Sequence, residues 1–162
     1  GQLPTLNDWA DHLTTAFPEV RLKKYLEMRG ADGGPWSRLC ALPALWVGLL
    51  YDDTALDAAW DLVKDWTTEE RAALRRDVPR LGLATPFRGG TVRDVALRVL
   101  AIARQGLAAR ARTDAIGGTE EGFLNDLQRI ADSGETQASE MLRRYETEWG
   151  GSVDPVFTAY AY

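Results

Sequence analysis

The sequence is poor in the residues that build disulfides and transition-metal sites. Its 162 residues include one cysteine, Cys40, and one histidine, His12. A single cysteine cannot form a disulfide within the chain, and one histidine cannot supply a His-rich zinc site. Disulfide-stapled scaffolds and such zinc sites are therefore excluded, and a Ser-His-Asp triad would have to use His12. The low cysteine content suits a reducing compartment, and we expect a cytoplasmic protein.

The sequence also lacks an apolar run long enough to cross a membrane. Its longest apolar stretch, residues 39–51, has about 13 residues, whereas a membrane-spanning helix needs about 20. We therefore expect no membrane partner. The composition, 45% hydrophobic and 27% charged, is typical of a globular chain that can bury a core.

An excess of positive charge is absent too. Nineteen basic residues against 24 acidic ones give a net charge of −5, so we expect no nucleic-acid partner. The charge is uneven, because residues 68–112 contain ten arginines, no lysine and only four acidic residues. These arginines either pair with acidic neighbours across helix faces or form a phosphate-binding surface.

Most of the chain carries the 3.6-residue periodicity of amphipathic helices. The clearest case is residues 92–107, where seven apolar residues keep this spacing over four turns. Thr67 and Glu70 form a capping box that predicts a helix ending before Pro79. Further helices are predicted from Asn7 or Asp8 to about residue 16, from Asp53 to about residue 66, and over residues 39–51, 123–133, 138–149 and the segment after Pro155. We expect a predominantly helical α+β fold with at least six helices around one core.

One segment, residues 20–29, alternates as a β-strand does. One face is apolar and the other is polar, with Lys24 as the exception; the polar face carries Arg21, Lys23, Tyr25, Glu27 and Arg29. Because no other segment alternates, we expect this strand to join an antiparallel sheet completed by a missing part of the chain or by a partner chain. Its polar face either meets water or lines a site for an anion.

A carboxylate beside an arginine, followed by a glycine-rich loop, is typical of sites that handle magnesium and phosphate. Glu27 and Arg29 point to the same face of the strand, and residues 30–36 contain three glycines that let backbone approach a ligand. A carboxylate can hold the cation while a guanidinium neutralises a phosphate. An ordinary ion pair explains the two residues equally well.

Residues 17–36 (FPEVRLKKYLEMRGADGGPW) and 38–52 (RLCALPALWVGLLYD) closely resemble glutamate-cysteine ligases of the plant and proteobacterial type. Shorter matches lie at residues 85–88, 122–124, 148–150 and 153–157. The resemblance implies that residues 1–162 are the single C-terminal portion of a ligase catalytic domain, whose N-terminal part is missing.

The resemblance also implies an activity and its residues. The family joins L-glutamate to L-cysteine with ATP through a γ-glutamyl phosphate, the first step of glutathione biosynthesis, and uses Mg²⁺. The resemblance implies that Glu27 is a magnesium ligand and that Arg29 is the catalytic, phosphate-binding arginine. Arg21 and Lys23 are candidates for binding substrate carboxylates or phosphates. We expect the fragment alone to be inactive, since a lone carboxylate binds Mg²⁺ poorly.

Two alternatives remain open. The first is a non-catalytic, acidic helical module for protein interaction, for which apolar helix stripes suffice. The second keeps the family but feeds the product to thiols other than glutathione. We also expect the isolated chain to associate, either with the missing N-terminal part or as a homo-oligomer, because truncation exposes apolar surface.

Overall fold

The computed structural model describes residues 3–113 and 115–161 and divides the chain into two compact units, Gly1–Gly33 and Gly34–Tyr162. The first unit contains helix α1 (Leu6–Leu13) and strands β1 (Val20–Leu22) and β2 (Leu26–Met28). The second unit contains α2 (Trp36–Leu50), α3 (Asp53–Val63), α4 (Thr68–Leu81), β3 (Pro86–Phe87), β4 (Gly90–Thr91), α5 (Val92–Arg110), α6 (Asn125–Ser133), α7 (Gln137–Thr147) and α8 (Val156–Ala159). Short 3₁₀ helices at Gly82–Ala84 and Glu120–Leu124 precede β3 and α6. The predicted α+β class with mostly helical structure is confirmed.

Local capping explains where the helices begin. The predicted capping box of α4 is present, with Thr67 and Glu70 each accepting the other's backbone N–H, at 3.1 and 2.8 Å. α1 begins two or three residues earlier than predicted, because Thr5 caps it and Asp8 takes the third helical position. α4 does not end before Pro79 but runs on to Leu81. Proline lacks an N–H, so the helix gives up one backbone hydrogen bond near its end and continues.

The prediction of a single strand over residues 20–29 is wrong. The chain reverses at residues 23–25, and its two halves pair with each other in an antiparallel hairpin. The register places Val20 opposite Met28, Arg21 opposite Glu27 and Leu22 opposite Leu26. Lys24, the one residue that breaks the alternation, lies in the turn. The inner edges of β1 and β2 therefore pair with each other, and neither outer edge has a neighbouring strand among the described residues.

The core of the second unit lies where α2 crosses α5. The two helices meet through backbone, because a Cβ on Gly106 would overlap the carbonyl oxygen of Gly48, and a Cβ on Gly48 would overlap that of Ala103. The buried side chains around this crossing are Ala44, Leu49, Leu100, Ala103, Leu107, Leu124 and Ala131. Two glycines at matching positions thus let the helices approach closely.

Large apolar side chains remain exposed on both units. On α1, Leu6, Trp9 and Leu13 are 86%, 59% and 57% exposed, although their spacing makes one apolar stripe. On α3, Trp60 is 62% exposed. Among the described residues, no single helix is long and apolar enough to cross a membrane, and α2 and α3 satisfy that test only as a pair bent by 94°.

Candidate functional site

The hairpin of the first unit carries a polar face built around the pair Arg21 and Glu27. These residues lie directly opposite each other in the register, so their side chains share one face. Arg21 Nε and Nη2 both lie 2.6 Å from one oxygen of Glu27, Oε2. No hydrogen bond from the described residues reaches the other oxygen, Oε1. Glu27 therefore has one oxygen engaged and one open.

Arg29 extends the same face by one further position. Its backbone N–H donates to the carbonyl of Glu19 at 2.8 Å, which continues the hairpin pairing beyond β2. The guanidinium lies 5.0 Å from the centroid of the Phe17 ring. Its Nη1 is buried and has no hydrogen-bond partner among the described residues. A buried guanidinium N–H without an acceptor is costly, so an acceptor from outside the described residues would stabilise it.

Of the four predicted site residues, Arg21 and Glu27 are in direct contact. Arg21, Glu27 and Arg29 share the polar face, as the alternation predicted. Lys23 lies in the exposed turn at the far end of the hairpin, where its N–H donates to the carbonyl of Tyr25 at 2.9 Å. The sequence also allowed an ordinary ion pair between Glu27 and Arg29. Glu27 does form an ion pair, but its partner is Arg21 on the opposite strand of the hairpin.

The residues present fit one ligand of a magnesium site. Within the described ranges there is no group of three or more His, Cys, Asp or Glu side chains that could hold a metal ion. Mg²⁺ is usually bound by one or two carboxylates, waters and substrate phosphates, so a single open carboxylate oxygen is a suitable contribution. Glu27 fits that contribution, and the remaining ligands would have to come from a nucleotide, from water and from other parts of the protein.

A second arginine–carboxylate pair, between Arg88 and Glu70, was not foreseen from the sequence. Arg88 Nε and Nη2 donate to Oε1 and Oε2 of Glu70 at 2.6 and 2.7 Å, and Nη2 also donates to the carbonyl of Asp65. The hydrogen bonds from Arg88, together with that from the Thr67 backbone, lower the pKa of Glu70 to about 2. Both oxygens of this carboxylate are engaged, so the pair ties the start of α4 to the β3–β4 turn. The resemblance of residues 85–88 to the ligases was the one feature noted in the sequence that includes Arg88.

Beside this pair is an open cleft of about 400 Å³. Trp66 and Phe87 form one wall and contact each other edge to face, with ring centroids 4.7 Å apart. Gly89, Gly90 and Arg98 also line it. Nε and Nη2 of Arg88 already bond to Glu70 and to the Asp65 carbonyl, so these two groups stabilise the fold.

Several arginines of the arginine-rich segment bond to their neighbours. Arg76 pairs with Asp77, Arg93 donates to the carbonyls of Ala131 and Asp132, Arg104 donates to the Glu121 carbonyl and the Asn125 side chain, and Arg110 pairs with Glu120. Arg93 and Arg104 thereby fasten α5 to the segment that contains α6. Arg76 and Arg110 are thus paired with acidic residues, as one of the two interpretations predicted, whereas Arg93 and Arg104 bond to neutral oxygens.

Comparison with known proteins gives a consistent result along the whole chain. The model of glutamate-cysteine ligase family 2 matches residues 2–159. The chain is 58% identical to "Glutamate--cysteine ligase A, chloroplastic" of Oryza sativa subsp. indica over 162 residues, which is 100% of this chain and 32% of that protein. It is 57% identical to the chloroplastic ligase of Arabidopsis thaliana and 55% identical to that of Nicotiana tabacum, in each case over 100% of this chain and 30% of the relative.

Two consequences follow from these matches. The chain spans about a third of the length of the curated relatives it matches, so it is a fragment by comparison with them. The relatives are chloroplastic by name, and this finding contradicts the predicted cytoplasmic location. The low cysteine content suggested a reducing compartment, but it cannot distinguish the cytosol from a plastid.

Proposed function

Because the chain belongs to glutamate-cysteine ligase family 2, we propose that it is the C-terminal part of an ATP-dependent ligase that forms γ-glutamylcysteine from L-glutamate and L-cysteine. The observation that carries the proposal within the structure is the polar face of the hairpin. There an open carboxylate oxygen on Glu27 lies on the same face as Arg29, whose buried N–H has no acceptor among the described residues.

The reaction needs phosphoryl transfer followed by displacement. The γ-carboxylate of glutamate attacks the terminal phosphorus of ATP, ADP leaves, and a γ-glutamyl phosphate results. The amine of cysteine then attacks the acyl carbon, phosphate leaves with the bonding electrons of the carbon–oxygen bond, and the amine gives up a proton. Both steps place negative charge on phosphate oxygens, which a fixed cationic donor stabilises.

We assign the stabilisation of this negative charge to particular residues of the hairpin unit. Arg29 donates to phosphate oxygens through Nη1, with Phe17 stacked against its guanidinium. Glu27 would be one of the residues that hold Mg²⁺, and the ion, when bound, would neutralise charge on the nucleotide phosphates. Lys23 remains a candidate contact for a substrate carboxylate or phosphate, although it lies in the exposed turn.

The remainder of the ligase completes the site. Of the described residues, Glu27 is the carboxylate we assign to the site, whereas the relatives of this chain are about three times as long. We therefore propose that the fragment alone is inactive, and that the rest of the polypeptide adds further metal and nucleotide ligands and covers the exposed stripe of α1. A competing outcome is that a second copy of the chain covers the exposed stripe of α1.

We also propose that the full-length protein is located in a plastid and that its product is used to make glutathione.

The test uses the full-length ligase with variants at the two assigned positions. Glu27→Gln keeps the size of the side chain but removes its charge, so the Mg²⁺ requirement should rise and turnover should fall steeply. Arg29→Lys keeps the charge but loses the planar donor fork, and the loss of such a transition-state contact lowers the rate about 100-fold. Formation of γ-glutamylcysteine with ATP is measured alongside thermal melting.

Lys24→Gln is the matched control, because it removes one charge from the same hairpin outside the polar face. It should turn over like the parent. If the variants at Glu27 and Arg29 also do so, the assignment of these two residues is wrong. If they lose activity only because they unfold, the polar face is structural.

A further inference from the structure

We propose that Arg21 is a positioning residue for Glu27: it holds the carboxylate by one oxygen and leaves the other for a divalent cation. This inference rests on the proposed function, in which Glu27 is a metal ligand. It replaces the expectation that Arg21 itself contacts a substrate carboxylate or phosphate.

The geometry of the pair is the first argument. An arginine that simply neutralises a carboxylate commonly forms two parallel hydrogen bonds, one to each oxygen. Arg88 does this with Glu70, and Arg76 does it with Asp77 at 3.0 and 2.9 Å. Arg21 instead donates from Nε to Oε2 at 2.6 Å, with Nη2 2.6 Å from the same oxygen, so that Oε1 is left free. Arg129 likewise contacts a single oxygen of Asp126, so the geometry alone shows that an oxygen is free and does not show what it is free for.

The position of the pair in the hairpin is the second argument. Arg21 and Glu27 are direct cross-strand partners, so the antiparallel register itself fixes the distance between their backbones. Both side chains are about one third exposed, at 29% and 33%, so the hairpin restricts them while a ligand can still reach them. A glutamate on an open strand would otherwise sample several rotamers, and ordering it would cost part of the binding free energy.

The charge of Arg21 shows what kind of role this is. A guanidinium repels a divalent cation, so Arg21 cannot favour the ion by electrostatic attraction. Its contribution must come from orienting the carboxylate, as partners of metal-ligating carboxylates do in many sites. Repulsion by Arg21 weakens cation binding, whereas orientation of Glu27 by Arg21 strengthens it. Because the two effects on affinity have opposite signs, variants of Arg21 can separate them.

The experiment measures binding of Mn²⁺, a paramagnetic probe for the Mg²⁺ site, to the full-length ligase without nucleotide, by the electron paramagnetic resonance signal of free Mn²⁺. Arg21→Lys keeps the charge but cannot direct two coplanar donors to one oxygen. We expect its Mn²⁺ affinity to fall about 10-fold, the lower end of the effect for partners of metal ligands. Arg29→Lys is the matched control and should bind Mn²⁺ like the parent while turning over more slowly.

Two further variants sharpen the test. Arg21→Gln keeps an amide donor but removes the charge, which by itself would strengthen cation binding; weaker binding would therefore indicate lost orientation. The double variant Arg21→Lys/Glu27→Gln should bind Mn²⁺ no more weakly than Glu27→Gln alone, because Arg21 acts through Glu27. Far-UV circular dichroism and melting check that each variant is folded.

The outcomes separate the inference from the proposed function. If Glu27→Gln binds Mn²⁺ like the parent, Glu27 is not a metal ligand, and both assignments fail. If Glu27→Gln weakens binding but Arg21→Lys does not, or if Arg21→Gln tightens it, the positioning role is overturned and the metal assignment stands. Additive losses in the double variant would also overturn it, because Arg21 would then act independently of Glu27.

Discussion

Replacing Gly106 by alanine should destabilise the helical unit. Gly106 is buried on α5 at its crossing with α2. The added Cβ would overlap the carbonyl oxygen of Gly48 and would lie 3.0 Å from the Cβ of Ala55. The atom that must move is backbone of another helix, which cannot turn aside as the end of a flexible side chain can.

Two effects of opposite sign set the size of the change. Alanine stabilises a helix over glycine by about 1 kcal/mol. Overpacking a well-packed core costs about 1–3 kcal/mol, and the upper end applies where backbone has to shift. The net loss is therefore about 2 kcal/mol. For a chain of this length each kcal/mol lowers the melting temperature by about 2–4 °C, so we expect a decrease of about 4–8 °C.

The assay is thermal unfolding followed by circular dichroism at 222 nm. Gly122→Ala is the matched control, because a Cβ there would meet nothing within 4 Å and its backbone is not in the left-handed region. The control should melt close to the parent. If Gly106→Ala melts at or above the parent temperature, the close crossing of α2 and α5 is wrong.

Two other properties can be predicted. The pKa of Glu70 is lowered from 4.5 to about 2, first by Arg88 and then by the Thr67 backbone, so the stabilisation is complete above about pH 4.5 and is lost as the pH falls towards 2. Urea unfolding over that interval should therefore show a steeper loss of stability for the parent than for Glu70→Gln, and equal slopes would contradict the pairing. Phe17→Leu keeps apolar bulk but removes the ring beside Arg29, and a cation–π contact of about 0.5–1 kcal/mol predicts a 2- to 5-fold slower turnover of the full-length ligase. An unchanged rate would show that the ring does not hold Arg29.

Local signals were sufficient to predict most of the helical structure. The apolar spacing predicted a helix over residues 92–107, and α5 runs over Val92–Arg110. The capping box of α4 involves residues only three apart, so it can be recognised without knowing the rest of the fold. The stop signal at Gly134 is similar, because the residue adopts a φ of 76° that favours glycine.

Features that depend on distant residues could not be predicted in this way. The hairpin turn at residues 23–25 contains no glycine, asparagine or proline, so it lacks the usual signals of a reversal. The sequence could not distinguish a turn at Lys24 from an imperfect strand. The crossing through Gly48 and Gly106 likewise depends on two helices more than 50 residues apart in the chain.

The residues of the hairpin's polar face could be predicted from the sequence, but the contacts between them could not. Alternation placed Arg21, Glu27 and Arg29 on one face, and the hairpin keeps them there because cross-strand partners share a face. Which arginine meets the carboxylate depends on the register. The register selects Arg21, and Nη1 of Arg29 has no hydrogen-bond acceptor among the described residues.

The two arginine–carboxylate pairs differ in what they leave unsatisfied, and that difference bears on function. In the pair of Arg88 and Glu70, both oxygens accept hydrogen bonds, so the contact is complete and stabilises the fold. On the hairpin face, an open oxygen of Glu27 and a buried N–H of Arg29 remain, and burying such a donor without an acceptor costs about 1–3 kcal/mol. That cost is not recovered within the first unit. Under the proposed function, a magnesium-bound nucleotide would supply a cation for Glu27 and anionic oxygens for Arg29.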